Sequence, residues 1–308
     1  MPAWKVELPL VAAGGEPVDL WRTISSHGVA DLPPALIDED ARTLDITLAA
    51  GRGRPRTVRV EQGRPGHARV SAAGPVPAAS QRDVLLAEIA HMLRLDEDLS
   101  DFYALAARDP ELSWATTGAG RMLRSPTVFE DVVKTIATTN CAWSATVRMV
   151  SALVEHLGEQ APRAPARGPY GRAFPSPAAM AEANEGFYRD VVRAGYRGPY
   201  FRSLAASVAE GELDLEELAG DADLTDEEVE AKLLELPGVG PYAAAHVMML
   251  LGRYSRLILD SWTRPKFASL NGGKAVKDTT IERRFRPYGR YAGLAFWLYL
   301  TRDWVEEA

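Results

Sequence analysis

Leu236-Pro237-Gly238-Val239-Gly240-Pro241-Tyr242-Ala243-Ala244-Ala245 is the stretch on which the reading of this chain turns. Ahead of it, Thr225-Asp226-Glu227-Glu228 has the form of a capping box, and Val229, Leu233 and Leu236 recur on one helical face. Behind it, residues 242–251 are apolar on every side, as in a helix with no solvent face. Two helices therefore flank a turn of about five residues holding two glycines. Gly238 and Gly240 allow a sharp reversal with little side-chain cover, and the second helix starts at that point, so its free N–H groups and the positive end of its dipole converge there. That geometry suits a phosphate. An ordinary helix-turn-helix corner with a glycine cap fits the same residues.

Leu257-Ile258-Leu259-Asp260-Ser261-Trp262 follows the second helix. Three aliphatic residues deliver a carboxylate to the edge of a buried helix. An aspartate in this place serves as a cap for Ser261-Trp262-Thr263 or as a reactive group, and the two roles are compatible.

Further from the hairpin the period changes. Residues 1–80 have strand character: Leu44–Leu48, Thr57–Glu61 and Ala68–Ser71 alternate, and Gly74-Pro75-Val76-Pro77 closes the segment. From there on the pattern is helical, with Val84, Leu85, Ile89 and Leu93 on one face and a second helix through Leu99, Phe102 and Leu105. Ser125-Pro126 is expected to cap a helix carrying Val128, Phe129, Val132, Val133 and Ile136, another is expected from Trp143 to Leu157, and Ser176-Pro177 opens a third. The last helix is expected over about 289–304. The fold class is thus mainly α with an N-terminal antiparallel β-sheet subdomain (1–80), followed by an all-helical core (81–308).

Composition narrows the classes. Of the 308 residues 46% are apolar, enough for a sizeable core. No stretch has the make-up of a signal peptide, and no run is long and apolar enough for a membrane helix, so a soluble, cytoplasmic monomer is expected. One cysteine, Cys141, excludes an internal disulfide and any four-cysteine zinc or iron–sulfur site. There is no Walker loop and no Gly-x-Gly-x-x-Gly, so no nucleotide cofactor is expected. The net charge of −7 runs against a nucleic-acid ligand, yet the charges segregate. Acidic residues crowd 209–230, including Asp221, whereas arginines crowd 52–59 (from Arg52), 163–172, 193–202 and Arg283-Arg284-Phe285-Arg286.

The hairpin with Asp260 resembles the helix-hairpin-helix DNA glycosylase superfamily, in which Leu-Pro-Gly-Val-Gly is followed at a similar distance by a catalytic aspartate. Val128-Phe129-Glu130 through Asn140 and Arg148-Met149-Val150 is similar to the helix pair that carries that family's strand-invading loop. Phe174-Pro175-Ser176 and Gly195-Tyr196-Arg197 with Tyr200 resemble the 8-oxoguanine glycosylases; Tyr288-Gly289-Arg290-Tyr291-Ala292-Gly293 resembles both these and the 3-methyladenine glycosylase II group. The resemblance covers residues 80–304 closely and 1–80 loosely. Two departures matter. Bifunctional members carry a lysine where this chain has Tyr242, and the four-cysteine cluster of the iron–sulfur branch is absent.

The resemblance implies a monofunctional enzyme of base excision repair, acting on double-stranded DNA that holds a damaged base. It implies Asp260 as the catalytic carboxylate and backbone N–H groups of Gly238, Gly240 and Ala243 on a phosphate. Asn140 would fill the gap left by the flipped base, although an asparagine there also suits a helix end. Main-chain carbonyls of Leu234, Leu236 and Val239 would hold a monovalent cation, K+ or Na+. Trp143, Tyr242, His246, Trp262 and Phe296 are candidate walls of the base pocket, and each also reads as core. An alkylated purine is the expected base. Rival readings are an oxidised-purine glycosylase, a mismatch thymine or uracil glycosylase, and a damage-binding protein without chemistry.

Overall fold

A computed structural model of the protein describes residues 4–49, 51, 53–72, 74–220 and 223–305; Arg52 and Asp221 lie outside them. Five strands, β1 (Trp4–Pro9), β2 (Leu36–Asp38), β3 (Thr43–Leu48), β4 (Arg56–Gln62) and β5 (His67–Ala72), form one antiparallel sheet in the order β1-β5-β4-β3-β2. Alternation sets its two faces. Val58, Val60, Ala68, Val70 and Ala72 point inward, while Asp45 lies opposite Arg59 in the ladder and the two pair at 2.7 Å. β1 and β2 are additions to the sequence reading: β2 has three residues, too few to show a period. Between β1 and β2 runs a short helix, α1 (Leu20–Ile24), capped by Asp19.

Among the described residues twelve α-helices follow: α2 (Ala79–Met92), α3 (Ser100–Ala106), α4 (Val128–Thr138), α5 (Trp143–Leu157), α6 (Pro177–Glu182), α7 (Arg197–Ala209), α8 (Glu217–Gly220), α9 (Asp226–Glu235), α10 (Pro241–Leu250), α11 (Thr263–Leu270), α12 (Asp278–Phe285) and α13 (Ala292–Thr301). Three expectations are corrected. The cap of α4 is Thr127, whose hydroxyl accepts the Glu130 N–H, and Ser125 instead donates its N–H to Asp131. Val84 is exposed; the inward face of α2 is Leu85, Ile89 and Met92. The final helix begins at Ala292, because Gly289 takes a positive φ of 56° and leaves a 3-10 turn before it.

Three apolar cores result. One joins the sheet to α2. The second gathers α4, α5, α7 and α9, and the third α3, α11, α12 and α13. Helix α10 belongs to both helical cores: Ala243, Ala244, Val247 and Met248 pack into the second, and Ala245, Met249 and Leu250 into the third. Among the described residues no helix is long and apolar enough to cross a membrane.

Candidate active site

The hairpin is built by its two helix ends. Thr225 and Glu228 form both halves of a capping box on α9, and Pro241 occupies the first turn of α10. Arg253 and Arg256 reach back to Asp226, Glu227 and Glu230, so two positive charges offset two of these three negative ones within the hairpin. Gly238 has φ +83°, and a β-carbon there would lie 2.7 Å from Tyr200 Cδ2. Gly240 caps α10 with open space around its α-carbon. Among the described residues the N–H groups of Gly238, Gly240, Tyr242 and Ala243 meet no acceptor. Four donors at a helix N-terminus are thereby available to an anion. The Leu236 carbonyl accepts the Val239 N–H (3.1 Å), whereas those of Leu234 and Val239 accept nothing among the described residues.

Asp260 is fixed by its own helix. Its Oδ1 accepts the N–H groups of Trp262 (2.8 Å) and Thr263 (2.7 Å), and its N–H donates to the Thr263 hydroxyl (2.8 Å). The cap role is therefore real. Only Oδ1 is used for it: Oδ2 has no partner among the described residues. Buried Ile258 and Thr263 anchor the segment on either side. The phenol of Tyr242 is pushed up, chiefly by burial, with the charge of Asp260 adding to it; the carboxylate thus acts electrostatically on the first turn of α10.

Rings connect this point to a cleft. Tyr242 lies 6.1 Å from His246, and His246 meets His27 edge-on at 5.8 Å (centroid distances). Burial pushes the His246 imidazole down to about 4. Trp262, two residues after Asp260, packs on Trp297 (5.7 Å) and Trp304 (5.6 Å). A cavity of about 560 Å³ is lined by Trp21, His27, Gly28, Trp143 and Trp304, with Asp31, Glu39 and Asp40 on its walls and the single cation Arg42 among them. Aromatic faces beside carboxylates favour a cationic occupant. Tyr242, Leu259, Arg264 and Arg286 line another cavity, of about 660 Å³.

Of the five expected pocket residues, Trp143 lines the first cavity and Tyr242 the second, His246 and Trp262 line neither, and Phe296 lies away from both. It is fully buried against Phe285 (5.3 Å) and Phe267 (6.2 Å), because α13 turns that face into the third core. Its neighbour Trp297, one helical step round, faces Trp262 and donates its indole N–H to the Ser26 carbonyl (2.8 Å). His27, Gly28 and Trp304 line the first cavity and Trp297 packs behind Trp304, and sequence reasoning named none of the four for the site. For Trp297 the signal was its place beside Phe296; for His27 and Gly28 no local pattern points to the cleft.

Asn140 follows the last turn of α4 with φ 46°, exposed, its amide 3.4 Å from the Tyr196 hydroxyl. Arg197 donates to the Thr139 carbonyl and lies 4.5 Å from the Tyr196 ring centre, holding the loop against the start of α7. Of the lysines near Asp260, Lys266 is paired with Asp303 (2.7 Å) and Lys274 is exposed. Arg283 and Arg286 are exposed and carry no ion pair among the described residues, whereas Arg284 pairs with Glu111.

No family model matches the chain. YfjP of Bacillus subtilis (strain 168), provisionally named a DNA-3-methyladenine glycosylase, is 28% identical over 132 residues, which are 40% of this chain and 44% of that one. The chain thus matches less than half the length of this relative. Solved structures agree over nearly the whole length. The 3-methyladenine DNA glycosylase of Archaeoglobus fulgidus superposes with a TM-score of 0.72 at 18% identity, covering 98% of this chain and 100% of that one. The 8-oxoguanine glycosylase/lyase of Clostridium acetobutylicum does so with 0.69 at 20% identity, covering 93% and 94%. The chain has the helix-hairpin-helix DNA glycosylase fold, sheet subdomain included.

Proposed function

We propose that this chain is a monofunctional DNA glycosylase that flips an alkylated purine out of duplex DNA and hydrolyses its N-glycosidic bond, in the cytoplasm and, if the cell is bacterial, on its nucleoid. The observation that carries the reading is Asp260: one carboxylate oxygen is locked by two main-chain N–H groups and the other has no partner among the described residues, beside a hairpin whose four N–H groups, open among the same residues, suit a phosphate. A pre-oriented carboxylate stabilises the oxocarbenium-like sugar and activates water. The hairpin grips the backbone without reading bases. Asn140, with the Tyr196 ring beside it, fills the vacated stack, at the point where extrusion of the base costs a few kcal/mol.

The aromatic, acid-rimmed cleft favours an electron-poor alkylated base over a neutral oxidised one. A cationic base is already a good leaving group, so one carboxylate suffices. The relative of Bacillus subtilis with its provisional 3-methyladenine name points the same way. The fold family also implies a monovalent cation at the hairpin. The free carbonyls of Leu234 and Val239, with Leu236 between them, form a neutral oxygen set that fits K+ or Na+, which would add positive charge beside the phosphate.

The test is a panel of single-lesion duplexes, each incubated with the protein and then treated with alkali. Strand cleavage is expected for 3-methyladenine and hypoxanthine ahead of 8-oxoguanine and mismatched thymine or uracil. Asp260→Asn should slow excision by about a thousandfold or more with duplex binding nearly unchanged. Faster release of 8-oxoguanine or a mismatched pyrimidine overturns the substrate; undiminished turnover in the variant overturns the role of Asp260.

A further inference from the structure

His27 and His246 each carry a buried ring nitrogen with no hydrogen-bond partner among the described residues, Nδ1 in the first and Nε2 in the second. Their rings touch edge to face, one on the loop after α1 and the other on α10. Buried side-chain polar atoms nearly always find a partner, so two orphans on adjoining rings mark a place where one is missing. Burial keeps both imidazoles neutral, His27 being pushed down to about 3 with the neighbouring His246 adding to the effect.

The state of His27 follows from its one bond. Nε2 lies 2.6 Å from the Leu123 carbonyl, which can only accept, so Nε2 carries the proton. Nδ1 of a neutral ring is then a lone pair and nothing else. Two further bonds place the segment: the Ser26 hydroxyl accepts the Leu123 N–H (2.9 Å), and the Ser26 carbonyl accepts the Trp297 indole. His27 also lines the cavity shared by Trp143 and Trp304.

We infer that His27 determines which base the cleft accepts: its Nδ1 takes a hydrogen bond from an amino group on the edge of the flipped base, selecting alkylated adenines over alkylated guanines. This rests on the glycosylase reading above. Adenine carries an amino donor at the ring carbon where guanine carries a carbonyl, and a carbonyl set against a lone pair leaves two acceptors unpaired. Positive charge on the alkylated ring strengthens the amino donor. Sites built around such a bond discriminate far more sharply than apolar walls do.

Single-turnover excision of 3-methyladenine and 3-methylguanine from matched duplexes tests the inference, using the wild type, His27→Gln and His27→Asn. Glutamine places its amide nitrogen where Nε2 was, keeping the bond to Leu123 and removing the acceptor at Nδ1. Asparagine does the reverse. The preference of the wild type for 3-methyladenine should fall about tenfold or more in His27→Gln, at a melting temperature close to the wild type, and be better kept in His27→Asn. An unchanged preference in His27→Gln overturns the inference and leaves the glycosylase reading standing, as does a loss in both variants that follows their loss of melting temperature. A wild type that releases neither base, nor any other in the lesion panel, overturns both. Imidazole 15N spectra of the wild type give an answer without any variant: free 3-methyladenine should move the Nδ1 signal of His27, and an unmoved signal at saturation overturns the assignment.

Discussion

Alanine at Gly238 and at Gly240 should separate folding from binding, since the two glycines differ in what surrounds them. At Gly238 the backbone is left-handed (φ +83°), which costs an L-residue about 1–2 kcal/mol. The added methyl would also fall 2.7 Å from Tyr200 Cδ2 and 3.3 Å from Ile136 Cγ2, an overlap costing about 1–3 kcal/mol. Gly238→Ala should therefore lose about 2–5 kcal/mol, and roughly 4–10 °C in melting temperature for a chain of this size. Tyr200→Ala in the same chain should recover the steric part and leave the backbone part. At Gly240 the backbone is ordinary (φ −106°) and a β-carbon meets nothing within 4 Å. Gly240→Ala should cost less than about 1 kcal/mol, the penalty of alanine at a helix cap. It should nonetheless weaken binding to lesion and undamaged duplex alike, because the methyl stands where the backbone must approach the phosphate. Thermal melting and fluorescence anisotropy at fixed salt read the two effects. A Gly240→Ala protein that binds duplex DNA as tightly as the wild type refutes the hairpin contact; a Gly238→Ala protein of unchanged melting temperature refutes the packing argument.

Other outcomes follow from the same site. With Tyr242 in the lysine place and Lys266 tied to Asp303, borohydride should trap no covalent complex on damaged DNA, and efficient trapping would show that another amine is in reach. Charge reversal at the unpaired Arg283 and Arg286 should weaken binding to all duplexes and flatten its salt dependence; equal slopes in variant and wild type would place that run away from the DNA. Stability should fall as pH drops. His27 and His246 have folded values near 3 and 4, below the ordinary imidazole range, so the unfolded chain binds more protons between about pH 6.5 and 4. Each imidazole contributes up to about 1.4 kcal/mol per pH unit in that window. Asp131, raised to about 6 by burial, acts in the opposite direction and offsets one of them between pH 4 and 6. His27→Gln should accordingly flatten the melting-temperature profile between pH 4 and 6.5, and an unaltered profile would refute the assignment to His27.

What could be read in the chain was what neighbours in sequence decide. The capping box at Thr225, proline at the start of α10, the glycine pair and the Asp260 cap are local chemistry, and each is present as spelled. What escaped depends on distant packing. Phe296 and Trp297 are adjacent aromatic residues, and only the rotation of α13 against Phe267 and Phe285 decides which enters the core. His27 comes to α10 through a loop whose course is set by bonds to Leu123 and Trp297, far along the chain. At α4 the cap expected at Ser125 lies two residues further on, at Thr127. Thr127 prevailed because its hydroxyl reaches the Glu130 N–H, while the Ser125 N–H was claimed by buried Asp131.

Helix α10 is held on all sides from Ala243 onward, with one face in each helical core and only its first turn, Pro241 and Tyr242, reaching the surface. An element so placed has no room to adapt: tilting it would open gaps in two close-packed interiors at once. The hairpin at its head and the carboxylate a short loop beyond its end are therefore a fixed template rather than a closing hand. Whatever docks on them must do the yielding. For a stiff polymer such as duplex DNA, the bend and the opened stack belong to the ligand, and a duplex already weakened at one base pair conforms with the least resistance. Part of the search for damage would then be mechanical, a matter of which stretch of helix gives way against an unyielding surface.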